Sequence, residues 1–291
     1  MNHWVYGQIV IVMLLWAGCF PLLTVGIQYA PHLTFAGLRA ILAGLALTAL
    51  ALILRRPCPS WNLWPKLTLI GFGATTFGFL GMFHAAEFVS PGIATVIAST
   101  QPLLAAVLAF FVLNERMNLM GKSGLAVGFF GIIVIVAPQL FYNYQDSYVV
   151  GILYIAIAAV GITVSNVVIK QIAGSVDALM AMGLQLLIGS IPLFLMGWIF
   201  EDPMTTQISV TFIVILLVLS LLGTAFAYWL WFSALEAVPL NRANSFSFLV
   251  PIFGLTIAVA FYGETIAWYQ ILGIVMTVAG ISIVNQSSAA L

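Results

Sequence analysis

Only eight side chains in this chain are acidic, eight basic and three histidine, so few residues can do chemistry and their spacing is informative. Two carboxylates stand at the ends of aromatic stripes: Phe79, Phe83 and Glu87 recur at four-residue intervals, and so do Tyr228, Phe232 and Glu236. On a helix that interval puts each set on one face. Such stripes could line a pathway whose rings contact an apolar or aromatic solute, with the Tyr228 hydroxyl as a polar handle and the carboxylates as charged contacts or proton carriers. Helix packing and interfacial anchoring account for the same pattern, and both readings stand on the residues alone. His84 and Glu87 are three apart and could share a metal, but no third ligand is visible and the zinc-protease motif is missing, so no metal is expected. Ser99, Gln101, Asn244 and Ser245 closely precede Pro102 and Pro251. A proline removes a backbone donor, which makes both prolines candidates for a broken helix beside which these polar groups contact a solute. Equally, such groups bind neighbouring helices. Asn166 shares a helical stripe with Thr163 and Lys170.

The elements that must position these residues are set by composition. Of the 291 residues 63% are hydrophobic and 5% charged, against about 25% charged in an ordinary soluble domain. Lipid is the solvent that suits such a surface, and only helices or closed barrels span it. The apolar runs are about twenty residues long, the length a helix needs to cross the hydrocarbon core, and the alternation of a barrel is absent. They predict ten transmembrane helices near 5–26, 34–54, 67–87, 93–113, 122–139, 149–169, 178–199, 210–235, 242–262 and 266–285, an all-α integral membrane protein. The first apolar run lacks a basic residue before it and is expected to be retained rather than cleaved.

Seven of the eight basic residues, Arg55, Arg56, Lys66, Arg116, Lys122, Lys170 and Arg242, fall in or beside connections at one end of these helices. Asp146, Glu201, Asp202 and Glu264 fall at the other. Because basic loops stay in the cytoplasm, both termini are expected there. Arg39 alone lies within a span, about one turn inside the acidic end, where it could hold a solute carboxylate or snorkel as an anchor. Burying such a group at the membrane centre costs roughly 2.5–3.5 kcal/mol. Lys170 could act in the pathway or sit as a boundary lysine.

Displacing the chain by 149 residues superposes eleven identical residues in fifty: Phe83, Ala85, Glu87, Val89, Ala94, Pro102, Ala109, Glu115, Gly124, Gly131 and Ile132 each meet their own type. Both glutamate pairs are 28 residues apart, and a proline follows the first glutamate by 15 in each copy. This is an internal duplication, with halves at 1–142 and 143–291. Five helices per half is an odd number, so the second half runs inverted across the membrane, the usual architecture of secondary transporters. Gly124, Gly128, Gly131, Gly273 and Gly280 read as helix-packing positions.

With Trp16-Ala17-Gly18 in the first helix, Arg39 in the second, the Pro102–Glu115 and Pro251–Glu264 blocks and the glycines of helices five and ten, the chain resembles the drug/metabolite transporter superfamily, specifically ten-helix exporters with two EamA-type repeats. The resemblance covers nearly the whole chain and implies export of small metabolites across a bacterial inner membrane, with amino-acid exporters of the YddG type as the nearest guess. It also implies that Trp16 faces inward. Where the family often has Trp-Gly followed by Ser and Asn, this chain has Ala17, Gly18 and Cys19. Multidrug, nucleoside or other metabolite export is the alternative, and a channel or a non-transporting scaffold is the reading from another class. A channel would show a ring of charges or a filter sequence, and neither is evident. Enzymatic activity is not expected, because the aspartates fall in predicted loops and no nucleophile stands beside a base. Gly121-Lys122-Ser123 matches the end of a phosphate-binding loop, but Arg116 stands where the glycine belongs, so ATP, an ATPase subunit and any other cofactor are not expected. The basic residues form no nucleic-acid patch. The expected partners are therefore a small-molecule substrate and the lipid bilayer.

Overall fold

The computed structural model describes residues 3–85, 88, 97–140, 148–262 and 266–287. Glu87, Glu264 and Asp146 lie outside the described residues. Ten helices account for nearly all of the rest: α1 (His3–Gly26), α2 (His32–Ile53), α3 (Trp61–Ala85), α4 (Gln101–Val112), α5 (Leu119–Leu140), α6 (Tyr148–Ile172), α7 (Ala178–Phe200), α8 (Val210–Ala237), α9 (Leu240–Phe261) and α10 (Trp268–Ser287). Nine are long and apolar enough to cross a membrane, α4 is shorter, and no strand occurs among the described residues. Apolar side chains such as Phe111, Trp198 and Phe200 point away from the protein. In water they would be a liability; on an integral membrane protein they form the lipid-facing surface.

Helix starts follow local chemistry. The Asp177 carboxylate accepts from the backbone N–H groups of Leu179 and Met180 at 3.0 and 3.2 Å, and the Ser209 hydroxyl accepts from Phe212 N–H at 3.1 Å. The start of α2 follows Pro31 and has no cap of its own. Its free N–H groups on Leu33 and Thr34 instead donate to the Glu201 carboxylate at 2.8 and 2.9 Å, from the end of α7. At the opposite end of the same helix pair Arg56 approaches Asp177 at 3.6 Å. α2 and α7 are thus tied at both ends.

Several boundaries differ from expectation for physical reasons. α3 begins at Trp61 rather than 67, because a 3₁₀ turn over Trp61–Leu63 leads into a helix with proline in its first turn, where the missing N–H costs nothing. Pro102 likewise stands in the first turn of α4, and the chain leaves the helix over Ser99 and Thr100, between helical Ala98 and Gln101, just before it. Pro251 opens the regular part of α9, and the irregular backbone lies just before it, in a 3₁₀ turn over Phe246–Phe248. No sequence signal announced the other irregularities. Gly71–Phe77 in α3 and Leu221–Phe226 in α8 are π-helical. Adding 149 to 75 and 77 gives 224 and 226, and both pairs are identical, Thr75 with Thr224 and Phe77 with Phe226. The widened turn is therefore a feature of both repeats.

Packing has pseudo-twofold symmetry. α2 packs on α7 and α5 on α10; α3 packs on α6 as α8 packs on α1; α4 packs on α6 as α9 packs on α1. Glycine permits the closest approaches. A Cβ on Gly71 would lie 2.6 Å from Gln185 O, one on Gly273 would lie 2.6 Å from Gly131 O, and one on Gly280 would lie 2.6 Å from Gly124 O. The inverted five-helix repeat is thus built into the contacts themselves.

Candidate functional site

Three polar layers lie along the helices. At the basic end, Lys170 Nζ at the end of α6 donates to Leu235 O at 2.6 Å and Val238 O at 2.9 Å, closing the last carbonyls of α8. Two residues later the Glu115 carboxylate, just past α4, accepts from Leu240 N–H at 2.8 Å and Asn241 N–H at 3.2 Å, closing the start of α9. A cation thus sits on a helix C-terminus and an anion on a helix N-terminus, the favourable sense of both dipoles. Nearby, Arg242 Nη1 donates to the Tyr6 hydroxyl at 2.7 Å, joining α9 to α1. The α8–α9 turn is pinned by side chains of three other helical segments. Glu236, expected among the charged pathway contacts, is exposed at this end and accepts from Gly174 N–H at 3.4 Å. Its place on the surface argues against a buried relay.

The middle layer is aromatic. Trp16 on α1 stands 5.5 Å from Trp231 and 6.1 Å from Tyr228, ring centre to ring centre. The buried Trp231 indole N–H donates to Asn166 Oδ1 at 2.9 Å, and Asn166 Nδ2 reaches Asn244 Oδ1 at 3.5 Å. Asn244 Nδ2 has no partner among the described residues. Ser245 spends its hydroxyl on Arg242 O. α1 of the first half and α6, α8 and α9 of the second therefore converge here. Trp231 joins this layer, while the next residue, Phe232 of the Tyr228 stripe, is fully buried in packing.

Towards the acidic end the buried Arg39 donates from Nε to the Thr224 hydroxyl at 2.7 Å and from Nη2 to Gly223 O at 3.4 Å and Cys19 Sγ at 3.5 Å. Its guanidinium lies 4.9 Å from the centre of the Phe79 ring, a cation–π contact. Phe79 continues to Phe83, and Phe83 to Phe35, in tilted and edge contacts at 6.1 and 5.8 Å. Tyr228, half-buried, touches both aromatic groups and donates weakly to Ala74 O at 3.4 Å. His84 stacks against Tyr154 at 5.2 Å and stands 6.1 Å from His32, at the edge of the bundle. Ser99 is buried and Gln101 half-buried at the start of α4, and neither joins the aromatic layer. No group of three metal-ligating side chains occurs among the described residues.

One residue escaped the sequence reading altogether. Gln185 is fully buried in α7, and its Oε1 accepts from the Thr75 hydroxyl at 2.9 Å. α7 starts 146 residues after α2 (178 − 32), and 185 − 39 is also 146, so Gln185 is the counterpart of Arg39. Each reaches the threonine of a π-helical turn in the opposite half. A displacement of 146, three fewer than the one found for the later helices, would have exposed this pair.

These features are shared with known proteins. The model of the EamA-like transporter family matches residues 3–137 and again 149–286. This chain belongs to that family. The transporter is 30% identical over 284 residues to a probable amino-acid metabolite efflux pump of Salmonella typhimurium, covering 94% of this chain and 92% of that protein. A protein of Escherichia coli with the same description is 29% identical over 286 residues. A WAT1-related chloroplastic protein of Arabidopsis thaliana is 30% identical over 259 residues, 86% of this chain and 62% of the length of that relative. A crystal structure superposes with a TM-score of 0.83 at 18% identity, covering 100% of this chain and 99% of that one, which shows a common fold. The chain is an integral membrane transporter with two EamA repeats.

Proposed function

We propose that this transporter exports amino acids, or similar small metabolites with an apolar or aromatic side chain, by exposing a central site alternately to the two sides of a bacterial inner membrane. The observation that carries the reading is one aromatic and amide layer in which Trp16 of the first half meets Tyr228, Trp231, Asn166 and Asn244 of the second, within a pseudo-twofold helix arrangement. Inverted halves of this kind, meeting near the membrane midplane, suit exchange of access between sides. Rings supply the apolar contact and amides the polar one. The Salmonella typhimurium and Escherichia coli relatives, both probable amino-acid metabolite efflux pumps, support the same substrate class.

We take the end that carries the seven basic residues, with both termini, as cytoplasmic, because basic loops stay on that side. In this state Lys170, Glu115 and Arg242 then close the cytoplasmic mouth by pinning the α8–α9 turn. Release of that turn is the opening movement. The halves are taken as 1–142 and 143–291.

The test is uptake of radiolabelled phenylalanine and leucine into proteoliposomes, with and without a proton gradient. Wild type is expected to show saturable flux. Trp16→Ala and Tyr228→Ala are expected to lower it at least about tenfold while unfolding at the wild-type temperature. Flux no greater than in empty vesicles for every amino acid tried would sink the amino-acid reading and direct attention to nucleosides or drugs.

A further inference from the structure

Arg39 and Gln185 do the same structural task in opposite halves, which makes each a control for the other. Both project from the equivalent place on paired helices, and both hydrogen-bond the threonine of a π-helical turn, Arg39 to Thr224 at 2.7 Å and Gln185 with Thr75 at 2.9 Å. The neutral amide shows that holding this turn needs hydrogen bonding and no charge. The positive charge of Arg39 is therefore surplus to the structural task.

That charge is costly where it stands. Arg39 is seven residues into α2, about 10 Å along the helix axis, and only 6% exposed. It does not snorkel to the boundary. Its partners are a hydroxyl, a carbonyl, a thiol and an aromatic ring, and among the described residues no carboxylate pairs with it. A buried guanidinium with only neutral partners keeps most of its desolvation cost, and an anion brought beside it offsets that cost. The fork also has room for one. Nε and Nη2 are engaged, whereas Nη1 donates to none of the described residues and is not among the sealed, unsatisfied atoms. Phe79 lies under the guanidinium, with Phe83 and Phe35 beyond it, so an apolar wall adjoins the charge.

We propose that Arg39 binds the carboxylate of the transported solute through Nη1, so that the transporter selects carboxylate-bearing solutes with an apolar body. This rests on the export reading above and narrows it: the carboxylate is required, and the amine of an amino acid is not. The guanidinium shape matters as well as its charge, since a planar fork meets a carboxylate in a geometry that an ammonium does not reproduce.

The test uses the full chain in proteoliposomes and micelles with four solutes: phenylalanine, 3-phenylpropanoate, phenylalaninamide and phenethylamine. Flux is read by radiolabel and binding by quenching of tryptophan fluorescence. Arg39→Gln copies the residue of the other half and is expected to keep the wild-type unfolding midpoint. It should bind and move the two carboxylates at least about tenfold less well, without a matching fall for phenylalaninamide or phenethylamine. Arg39→Lys should fall between. Carboxylate binding in Arg39→Gln equal to wild type would overturn the proposal, as would an equal fall for solutes with and without a carboxylate, which marks a structural role. A wild type that binds neither carboxylate also overturns it. A wild type that takes 3-phenylpropanoate and refuses phenylalanine sinks the amino-acid reading and leaves the role of Arg39 standing.

Discussion

At the scale of single residues, buried polar groups in this bundle are matched across helices, and removing one partner costs more than removing both. Trp231 and Asn166 are a clear case, with the indole N–H donating at 2.9 Å to an amide oxygen in a buried site. Trp231→Phe leaves that oxygen unpaired and is expected to destabilise the protein by about 1–3 kcal/mol in chemical denaturation within micelles. Adding Asn166→Val to Trp231→Phe should recover part of the loss, because the orphaned Asn166 acceptor is then gone and only the long 3.5 Å contact to Asn244 Oδ1 is given up. Additive losses in the double variant would show that the pair does not interact. Tyr228 and Trp16 were readable as aromatic candidates from spacing and resemblance. Between Trp231 and its neighbour spacing favours Phe232, the member of the four-residue stripe, and only packing shows that the ring one position earlier is the one facing Trp16.

At the scale of elements, the midspan contacts of α3 and α7 depend on the absence of side chains. A Cβ on Gly189 would strike Gly71 O, a backbone atom that cannot rotate aside, and α3 would have to shift. Gly189→Ala is expected to lower the thermal midpoint markedly. Gly254, inside α9, has nothing within 4 Å of an added Cβ, so Gly254→Ala should be neutral or stabilising by up to about 1 kcal/mol through helix propensity. Thermal unfolding of the two variants in the same detergent checks the pair; equal midpoints would contradict the packing. The π-helical turns belong to this scale too. An i→i+5 turn leaves a backbone carbonyl to be met differently: in α8 Thr224 donates to Leu219 O at 2.9 Å, and in α3 the equivalent Ile70 O accepts from the Ser165 hydroxyl of α6 at 3.2 Å. Thr-rich stretches are ordinary in membrane helices, so nothing local distinguished these turns from regular helix.

At the scale of the molecule, the pseudo-twofold packing leaves orientation open, and the proposed orientation rests on the asymmetry of charge. Cys58 reports on it directly. It is exposed, in the connection after Arg55 and Arg56, whereas Cys19 is buried. A membrane-impermeant maleimide applied to intact cells is expected to leave Cys58 unlabelled, and to label it after the cells are broken. Labelling in intact cells would reverse the orientation and turn the closed mouth outward.

Sequence by itself determined the helical class, the ten helices, the duplication and the inversion, because lipid imposes one length and one backbone hydrogen-bonding solution on every span and an odd repeat must invert. It also singled out Arg39, through the cost of a charge within a span. What tertiary structure decided was which partners those residues have. Lys170 and Glu115 became clamps on a helix junction, Glu236 a surface group, and Gln185 the neutral twin of Arg39. Hydropathy reports only whether a residue can enter the membrane. The partner it meets there depends on helix rotation and on approaches set by single glycines, neither of which one-dimensional spacing carries.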